Sequence, residues 1–568
     1  MSKITENRLI LDSIAIGILG ALGANLFIFL LKWSNRLLLQ DIAGYKEPML
    51  PSEGGTLTQH IGAHGLWLIP LVLAAGGLIV GLLIYKVAPD AEEGTDAGIE
   101  AFHRKGGFIR KRVPLVKMIA SAITIGSGGS AGREGPTVLI GAGLGSVYAQ
   151  IMKRKVSERR LLVLVGMASG LSAIFRSPIG TAFFAVEVLY SSIEFEATAL
   201  IYALIGSLVA YALNALIVGW EPLFSITQNF NFNDITNFGE FALLGIACGL
   251  LAAFMPTLYF ETKSFFTKLR IPQFVKPAIG GLLTGIFALF LPQVLGAGYG
   301  WIQITLNGDI SLKIMLILII AKMVSFSFTV GSGGSGGDII PSLFIGAMIG
   351  GVIAHLFHQP STGFVVVGMT AFLGAAMRMP IAAIILVTEM TSGYELLIPA
   401  GIAVIVSYLL QEFLTRHAKH QTMYKGQVPY RYDSPSHEEE HWRLAYRMLQ
   451  NKDVKLPSDV SHLELLQLIQ SGIPINLSNG KNFLLGEIDE NSPLRGKNLS
   501  SEEASPLRDK AEVVALLHDG DIFIPNGSTK FHNKDQLLIL AESDHSELIK
   551  KILAPPSASR QEPLESDN

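Results

Sequence analysis

Glu134 is a carboxylate set in a Gly-rich, otherwise apolar stretch. That stretch, 126–151, reads GSGGSAGREGPTVLIGAGLGSVYAQI and recurs at 331–356 as GSGGSGGDIIPSLFIGAMIGGVIAHL. At an offset of 205, 13 of the 26 positions are identical, and the copies differ most where Arg133, Glu134 and Gly135 stand against Asp338, Ile339 and Ile340. Each block reads as a turn running into a helix start, with Pro136 near the first helical position, where a missing N–H costs nothing. A helix start carries roughly half a positive charge and several N–H groups without intrahelical partners. Two such ends aimed at one point make an anion site. They do so without a Lys or Arg that would hold the anion too tightly for release. A carboxylate within a membrane is costly and marks function. At an anion-binding helix end Glu134 competes with the anion for the same donors and, once protonated, swings away. The expected chemistry is a gate that links pH to anion passage.

The elements that must position these residues follow from composition. The chain has 568 residues, 49% hydrophobic and 16% charged, with mean hydropathy +0.42. A soluble protein carries roughly 25% charged residues, so a membrane protein with a soluble part attached is expected. The net charge of −3 implies no nucleic acid or other polyanion partner, and the single Cys248 excludes an internal disulfide. The polar start and the long apolar stretch after it do not read as a cleavable signal peptide.

Apolar segments at 14–31, 67–87, 198–218, 241–258 and 314–330 approach the ~20 residues that a span needs. Shorter pieces at 136–151, 160–175, 178–190, 341–356, 363–376 and 380–388 fall below it. Irregular backbone at membrane depth must be buried in protein or line a cavity, and repeated half-length helices are typical of a transporter core. A second module repeats as well: GMASGLSAIFRSPIGTAFFAVE (166–187) echoes GMTAFLGAAMRMPIAAIILVTE (368–389) at an offset of 202. Two modules at nearly one offset mean a duplicated domain. The expected fold is an all-α polytopic membrane protein, an inverted-repeat helical bundle with re-entrant half-helices. Its halves run from about 10–220 and 238–415 inside a membrane domain 1–428. The basic segments 103–112 and 153–160 read as orienting loops. No nucleophile–base constellation, Walker loop or metal-ligand cluster is evident, so neither an enzyme nor a metal site is expected.

GREGP (132–136) followed by TVLIGAGLGS resembles the CLC family of chloride channels and chloride/proton antiporters. RSPIGTAFFAVE, VLGAGYG (294–300), GGDIIP (336–341) and EMTSGYELLIP (389–399) extend the resemblance over about 10–428. It implies a homodimer in a lipid bilayer, one chloride or similar anion pathway per subunit, and Glu134 as the gating glutamate. It implies anion contacts at Gly132, Arg133, Glu134 and Gly135, at the N–H groups of Ile339 and Ile340, and at Tyr424 in HQTMYKG. The family's inner serine falls near GTDAGIEAFH (94–103), where Thr95 is the candidate. Asp338 stands where an apolar residue is common, and it is expected to turn away or pair with a cation. The family's antiporters carry an inner glutamate just after the position of Glu187, and this chain has Val188. Proton relay needs a titratable group, so a passive anion channel is the first expectation. The alternative is a chloride/proton antiporter that uses another inner acid, Glu187 being nearest.

Beyond Tyr424 the chain turns polar. Residues 429–474 read as a linker and helices, around LAYRML and HLELLQLIQ. Short strands follow at FLLGEID, EVVALLH, DIFIP and QLLILAE, with an Asp-Gly hairpin between the second and third, and ELIKKIL as a closing helix. Residues 475–553 resemble the TrkA-C (RCK-C) regulatory domain, a small α+β unit expected in the cytoplasm of a prokaryotic inner-membrane protein. The resemblance implies a small ligand there, and no cofactor is expected. Residues 554–568 read as disordered. Such a domain also raises a potassium-transport protein, but the GYG of 298–300 occurs once and lacks a preceding Thr-Val, which disfavours a cation filter.

Overall fold

The computed structural model describes residues 3–63, 65–91, 94–226, 236–436, 475–476, 481–518, 521–523, 525–542, 545, 549 and 552–554. It divides into two compact units, Met1–Pro429 and Tyr430–Asn568. The helices expected around LAYRML and HLELLQLIQ, the tail from 555, and most of ELIKKIL lie outside the described residues.

The first unit is helical. Its elements are α1 (Lys3–Asn35), α2 (Ile69–Val87), α3 (Thr95–His103), α4 (Arg112–Gly126), α5 (Glu134–Ile151), α6 (Val156–Phe175), α7 (Pro178–Glu187) and α8 (Ala197–Val218). Then come α9 (Thr236–Lys268), α10 (Lys276–Ala288), α11 (Tyr299–Leu306), α12 (Leu312–Gly331), α13 (Ile339–Leu356), α14 (Ser361–Met377), α15 (Pro380–Thr391) and α16 (Leu397–Thr415). Among the described residues seven helices are long and apolar enough to cross a membrane. One is α13, with 18 residues. The piece 341–356 was expected to fall short, but its helix begins two residues before Pro341, which suits proline in a first turn. The true half-helices are α7 and α15, of 10 and 12 residues.

Prolines punctuate both copies alike. Arg176 closes α6 and Arg378 closes α14, each left-handed with φ 54°, and Pro178 and Pro380 open the next helices. That backbone is disfavoured for a side chain with a Cβ, and buried hydrogen bonds hold it. Arg176 donates to the carbonyls of Glu221 (2.8 Å) and Ser52 (2.9 Å), and Arg378 donates to Gln411 Oε1 (3.2 Å) and Thr415 Oγ1 (3.0 Å). Glycine sets the helix spacing. A Cβ on Gly141 of α5 would lie 2.1 Å from the Gly166 carbonyl of α6, and a Cβ on Gly346 of α13 would lie 2.3 Å from that of Gly368 in α14. Small residues of this kind let helices approach closely in a membrane.

The two copies meet around a two-fold axis. Gly132 and Gly337, equivalent at the offset of 205, exchange both backbone hydrogen bonds at 2.8 Å. Ser130 N donates to Thr329 Oγ1 at 3.1 Å, and the equivalent Ser335 N donates to Thr124 Oγ1 at 3.1 Å. A residue that pairs reciprocally with its own repeat-mate lies on the axis that relates the halves.

The second unit is a five-stranded antiparallel sheet in the order β3-β4-β7-β5-β6. Its strands are β3 (Ile475–Asn476), β4 (Lys481–Glu487), β5 (Ala511–His518), β6 (Asp521–Phe523) and β7 (Gln536–Glu542); β1 (Tyr45–Lys46) and β2 (His60–Ile61) form a separate pair in the first unit. His518 pairs with Asp521 across the expected hairpin. Leu484, Ile488, Leu516, Phe531, Leu537 and Ile539 form its core.

Candidate functional site

The Gly132–Gly337 exchange brings the starts of α5 and α13 together. In each helix the N–H groups ahead of the first intrahelical bond lack intrahelical partners, and the third helical residue, Pro136 or Pro341, carries no N–H; the first bonds run from Thr137 N to Arg133 O and from Ser342 N to Asp338 O. The approach has no room for side chains: a Cβ on Gly135 would lie 2.7 Å from Gly337 Cα.

Glu134 opens α5 and is fully buried, at 0% exposure. Its Oε1 accepts a hydrogen bond from the Tyr299 hydroxyl at the start of α11. Its Oε2 has no hydrogen-bond partner and lies over Gly132, 2.0 Å from where a Cβ would stand. Arg133 turns the other way. Its guanidinium pairs with both oxygens of Glu53, at 2.5 and 3.2 Å, donates to Tyr299 at 3.1 Å, and lies 4.4 Å from the Tyr299 ring centroid. Arg133, Tyr299, Glu53, Glu47 and Lys32 line a cavity of about 340 Å³.

Gly135, one residue beyond Glu134, lines a second cavity, of about 60 Å³. A water-sized sphere needs roughly 10–15 Å³, so this space holds a small ion or a few waters. Thr95, Asp96, Gly337, Asp338 and Tyr424 also line it. Thr95 begins α3 after Gly94; the residue is 3% exposed, and its hydroxyl lies beside that of Tyr424 without completing a hydrogen bond of normal geometry. Asp96 accepts the N–H groups of Lys425 (3.3 Å) and Gly426 (2.7 Å), which pins the segment that carries Tyr424. Ile339 and Ile340 are buried in the first turn of α13. Glu134 thus sits at the seam between two cavities, with its neighbours Arg133 and Gly135 each facing one.

Asp338 does not turn away, and it forms no cation pair among the described residues. It is the residue before α13, half-buried, and accepts a hydrogen bond from the Tyr424 hydroxyl at 3.0 Å. Asp338 lines the cavity.

Glu187 lies elsewhere. Its oxygens accept from Ile381 N (3.1 Å) and Ala382 N (2.6 Å), in the first turn of α15. Its repeat-mate Glu389 accepts from Ile179 N (3.0 Å), Gly180 N (2.8 Å) and Ser177 Oγ (2.6 Å), at the start of α7. Each carboxylate caps the half-helix of the other copy. Val188 is buried, and its carbonyl accepts from Gln427 Nε2 at 3.0 Å.

Tyr299 and Glu53 were not singled out from sequence. VLGAGYG was a usable signal for the first; the loop that carries Glu53 has no pattern that marks it. Among the described residues one group offers metal ligands: His518, His532 and Asp535. The buried Asp535 carboxylate accepts from His518 Nδ1 and from His532 N, both at 2.7 Å.

A profile of the voltage gated chloride channel family matches residues 76–412, and one of the TrkA-C domain matches residues 487–554. The chain is 33% identical over 354 residues to the uncharacterized protein MJ0305 of Methanocaldococcus jannaschii, covering 62% of this chain and 87% of that one. It is 30% identical over 364 residues to a Salmonella arizonae protein named H(+)/Cl(-) exchange transporter ClcA, covering 61% and 76%. Its fold is similar to the crystal structure of a CLC-type fluoride/proton antiporter (TM-score 0.64, 22% identity, 76% of this chain and 100% of that one). It is also similar to that of a slow cyanobacterial Cl-/H+ antiporter (TM-score 0.63, 22% identity, 74% and 96%). The chain belongs to the CLC family, as an integral multi-pass membrane protein of anion transport that carries a TrkA-C domain.

Proposed function

We propose that the protein exchanges chloride for protons, with Glu134 as the gate that also carries the proton. One observation carries the reading: a wholly buried carboxylate at a helix start, between two cavities, with one oxygen held by Tyr299 and the other unpartnered. Ionised, it fills the place of an anion at the start of α5. Protonated, it loses its claim on that positive end and an anion takes its place. Thr95, Tyr424 and the N–H groups of Gly135, Ile339 and Ile340 are the proposed anion ligands, and Gly132 is the residue that lets the carboxylate lie flat. Relatives at 29–30% identity named H(+)/Cl(-) exchange transporters support the coupling.

A passive channel is the second reading, and Val188 favours it, because no titratable group stands there. Glu187 is proposed as a helix cap, since both its oxygens already hold backbone N–H groups. Two copies per assembly, a prokaryotic inner membrane, and a cytoplasmic TrkA-C domain with a small ligand complete the proposal.

The test is the reversal potential of the protein in liposomes, under a chloride gradient and several imposed pH gradients. A potential that moves with the pH gradient supports exchange. One that stays at the chloride equilibrium value establishes the channel. Glu134→Gln should give chloride flux that no longer responds to pH; an unaltered pH profile removes Glu134 from the gate.

A further inference from the structure

Asp338 is the anomaly of the anion route. It follows Gly337, the on-axis partner of Gly132, and stands at the position equivalent to Arg133. It faces the 60 Å³ cavity and accepts the Tyr424 hydroxyl at 3.0 Å. It also stands directly before the unpaired N–H groups of the α13 start. A mobile anion in this cavity would use the same donors, together with the buried Thr95 hydroxyl that has no hydrogen-bond partner. The Asp338 carboxylate is therefore already the anion of that site, attached to the chain.

We infer that Asp338 is the proton-binding group on the Tyr424 side of the anion route, taking up a proton when an anion enters the cavity. Two negative charges do not share one set of donors in a small, largely enclosed space without a large cost. An anion gains the Tyr424 and Thr95 hydroxyls only when the Asp338 carboxylate is neutralised. The proton comes from the bulk solution by way of water in the cavity, so that no hydroxide stays behind, and the neutral carboxyl then offers an O–H in place of its negative charge.

Other titratable and charged groups also border the cavity. From α3 the cavity meets Asp96, whose oxygens hold the N–H groups of Lys425 and Gly426. From α9 it meets Tyr259 and Lys263, and from the segment after α16 Tyr424 and Lys425; α5 and α12 contribute Gly135, Phe326 and Val330. Glu187 caps α15, and Tyr190 donates to Glu196 away from the cavity lining. Of the two carboxyl groups in the lining, Asp338 is the one at the helix start that the anion would use.

The inference goes beyond the exchange reading, and only its transport arm rests on that reading. The first measurement is calorimetric chloride binding to the purified full-length Glu134→Gln protein, which removes the other tethered carboxylate, from pH 5 to pH 8. Affinity should fall as pH rises, toward one decade per pH unit for one linked proton. Adding Asp338→Asn should flatten that dependence, and Asp338→Glu should keep it. A flat profile in the Glu134→Gln protein, or a slope that survives Asp338→Asn, overturns the inference. A monodisperse elution profile and the Asp338→Glu variant separate a misfolded protein from a lost proton site.

The second measurement is proton uptake driven by a chloride gradient in liposomes. If the parent pumps protons, Asp338→Asn should pass chloride without them; equal pumping by the variant overturns the inference. If the parent pumps none, the exchange reading fails and the binding profile alone decides on Asp338.

Discussion

Gly132→Ala is a test of the gate made without touching the gate residue. The added Cβ would lie 2.0 Å from Glu134 Oε2 and 3.2 Å from its carboxyl carbon. An ordinary contact is roughly 3.5 Å, so the carboxylate must retreat by about 1.5 Å. Gly132 is not at positive φ, so alanine brings no backbone strain of its own. The atom in the way is the end of a flexible side chain, and it yields. A retreat of that size breaks the bond from Tyr299, and hydrogen bonds to charged groups are worth about 1.5–3 kcal/mol. At roughly 1.4 kcal/mol per decade, the closed position loses about tenfold to a hundredfold in population. Chloride efflux from liposomes at neutral pH should rise toward that of Glu134→Gln, with a weaker response to pH. Gly337→Ala is the control. Its Cβ would lie 2.4 Å from Gly135 N and 2.9 Å from Gly135 Cα, which are backbone atoms that cannot yield alone. That variant should lose thermal stability or monodispersity instead of leaking. Efflux and pH profile identical to the parent in a folded Gly132→Ala protein would refute the geometry, because Glu134 would then not rest over Gly132 when the route is closed.

Other perturbations separate scaffold from site. Glu187→Gln and Glu389→Gln each weaken two or three charge-assisted bonds to a helix start and should cost about 1–3 kcal/mol apiece, read as a lowered thermal midpoint. Chloride flux through Glu187→Gln should keep its pH dependence; loss of that dependence would restore Glu187 as a proton relay. Glu53→Gln removes the carboxylate that Arg133 grips with both nitrogens. Breaking one side of a buried pair costs about 3–5 kcal/mol, and the low end applies because Glu53 is partly open to water; an unchanged denaturation midpoint would show that the pair does not hold the loop. Thr95→Ala removes a buried hydroxyl with no partner, so stability should hold or rise while chloride binding weakens by about fivefold, near 1 kcal/mol. Unaltered affinity would exclude Thr95 as a ligand.

Much of this was legible in sequence because it was written twice. Repeated Gly-rich turns and prolines marked the starts of α5 and α13 and of α7 and α15, and one carboxylate at such a start marked the proposed gate. What escaped reading depends on contacts between distant parts of the chain. Tyr299 reaches Glu134 across 165 residues and Arg133 reaches Glu53 across 80, and no local pattern encodes either. Asp338 was expected to avoid the anion on grounds of cost, but its carboxylate accepts the Tyr424 hydroxyl, and both residues line the cavity. Glu187 drew attention because it precedes the missing inner acid. Its recurrence as Glu389 was the better clue: a residue kept in both copies serves what both copies need, which here is a cap on the half-helix of the opposite copy.

That rule also runs in reverse, and it gathers the chemistry at one place. Around the axis the halves agree in Gly132 and Gly337, in Ser130 and Ser335, and in Thr124 and Thr329, all joined by hydrogen bonds across the repeat. Agreement there builds the junction of two helix starts. One residue further on, agreement ends. Arg133 stands against Asp338, and each meets a tyrosine hydroxyl, Tyr299 on one side and Tyr424 on the other. Glu134 stands against Ile339. A junction that was symmetric in side chains would offer an anion the same surroundings from either direction, with nothing to exchange for it. The departures supply the difference. A cation held by Glu53 borders the larger cavity, a carboxylate with no ion-pair partner among the described residues borders the smaller one, and the buried Glu134 lies between them. Backbone N–H groups common to both halves make the place hospitable to an anion. The two unshared acids, Glu134 and Asp338, are the groups through which the proposed exchange would tie its passage to protons.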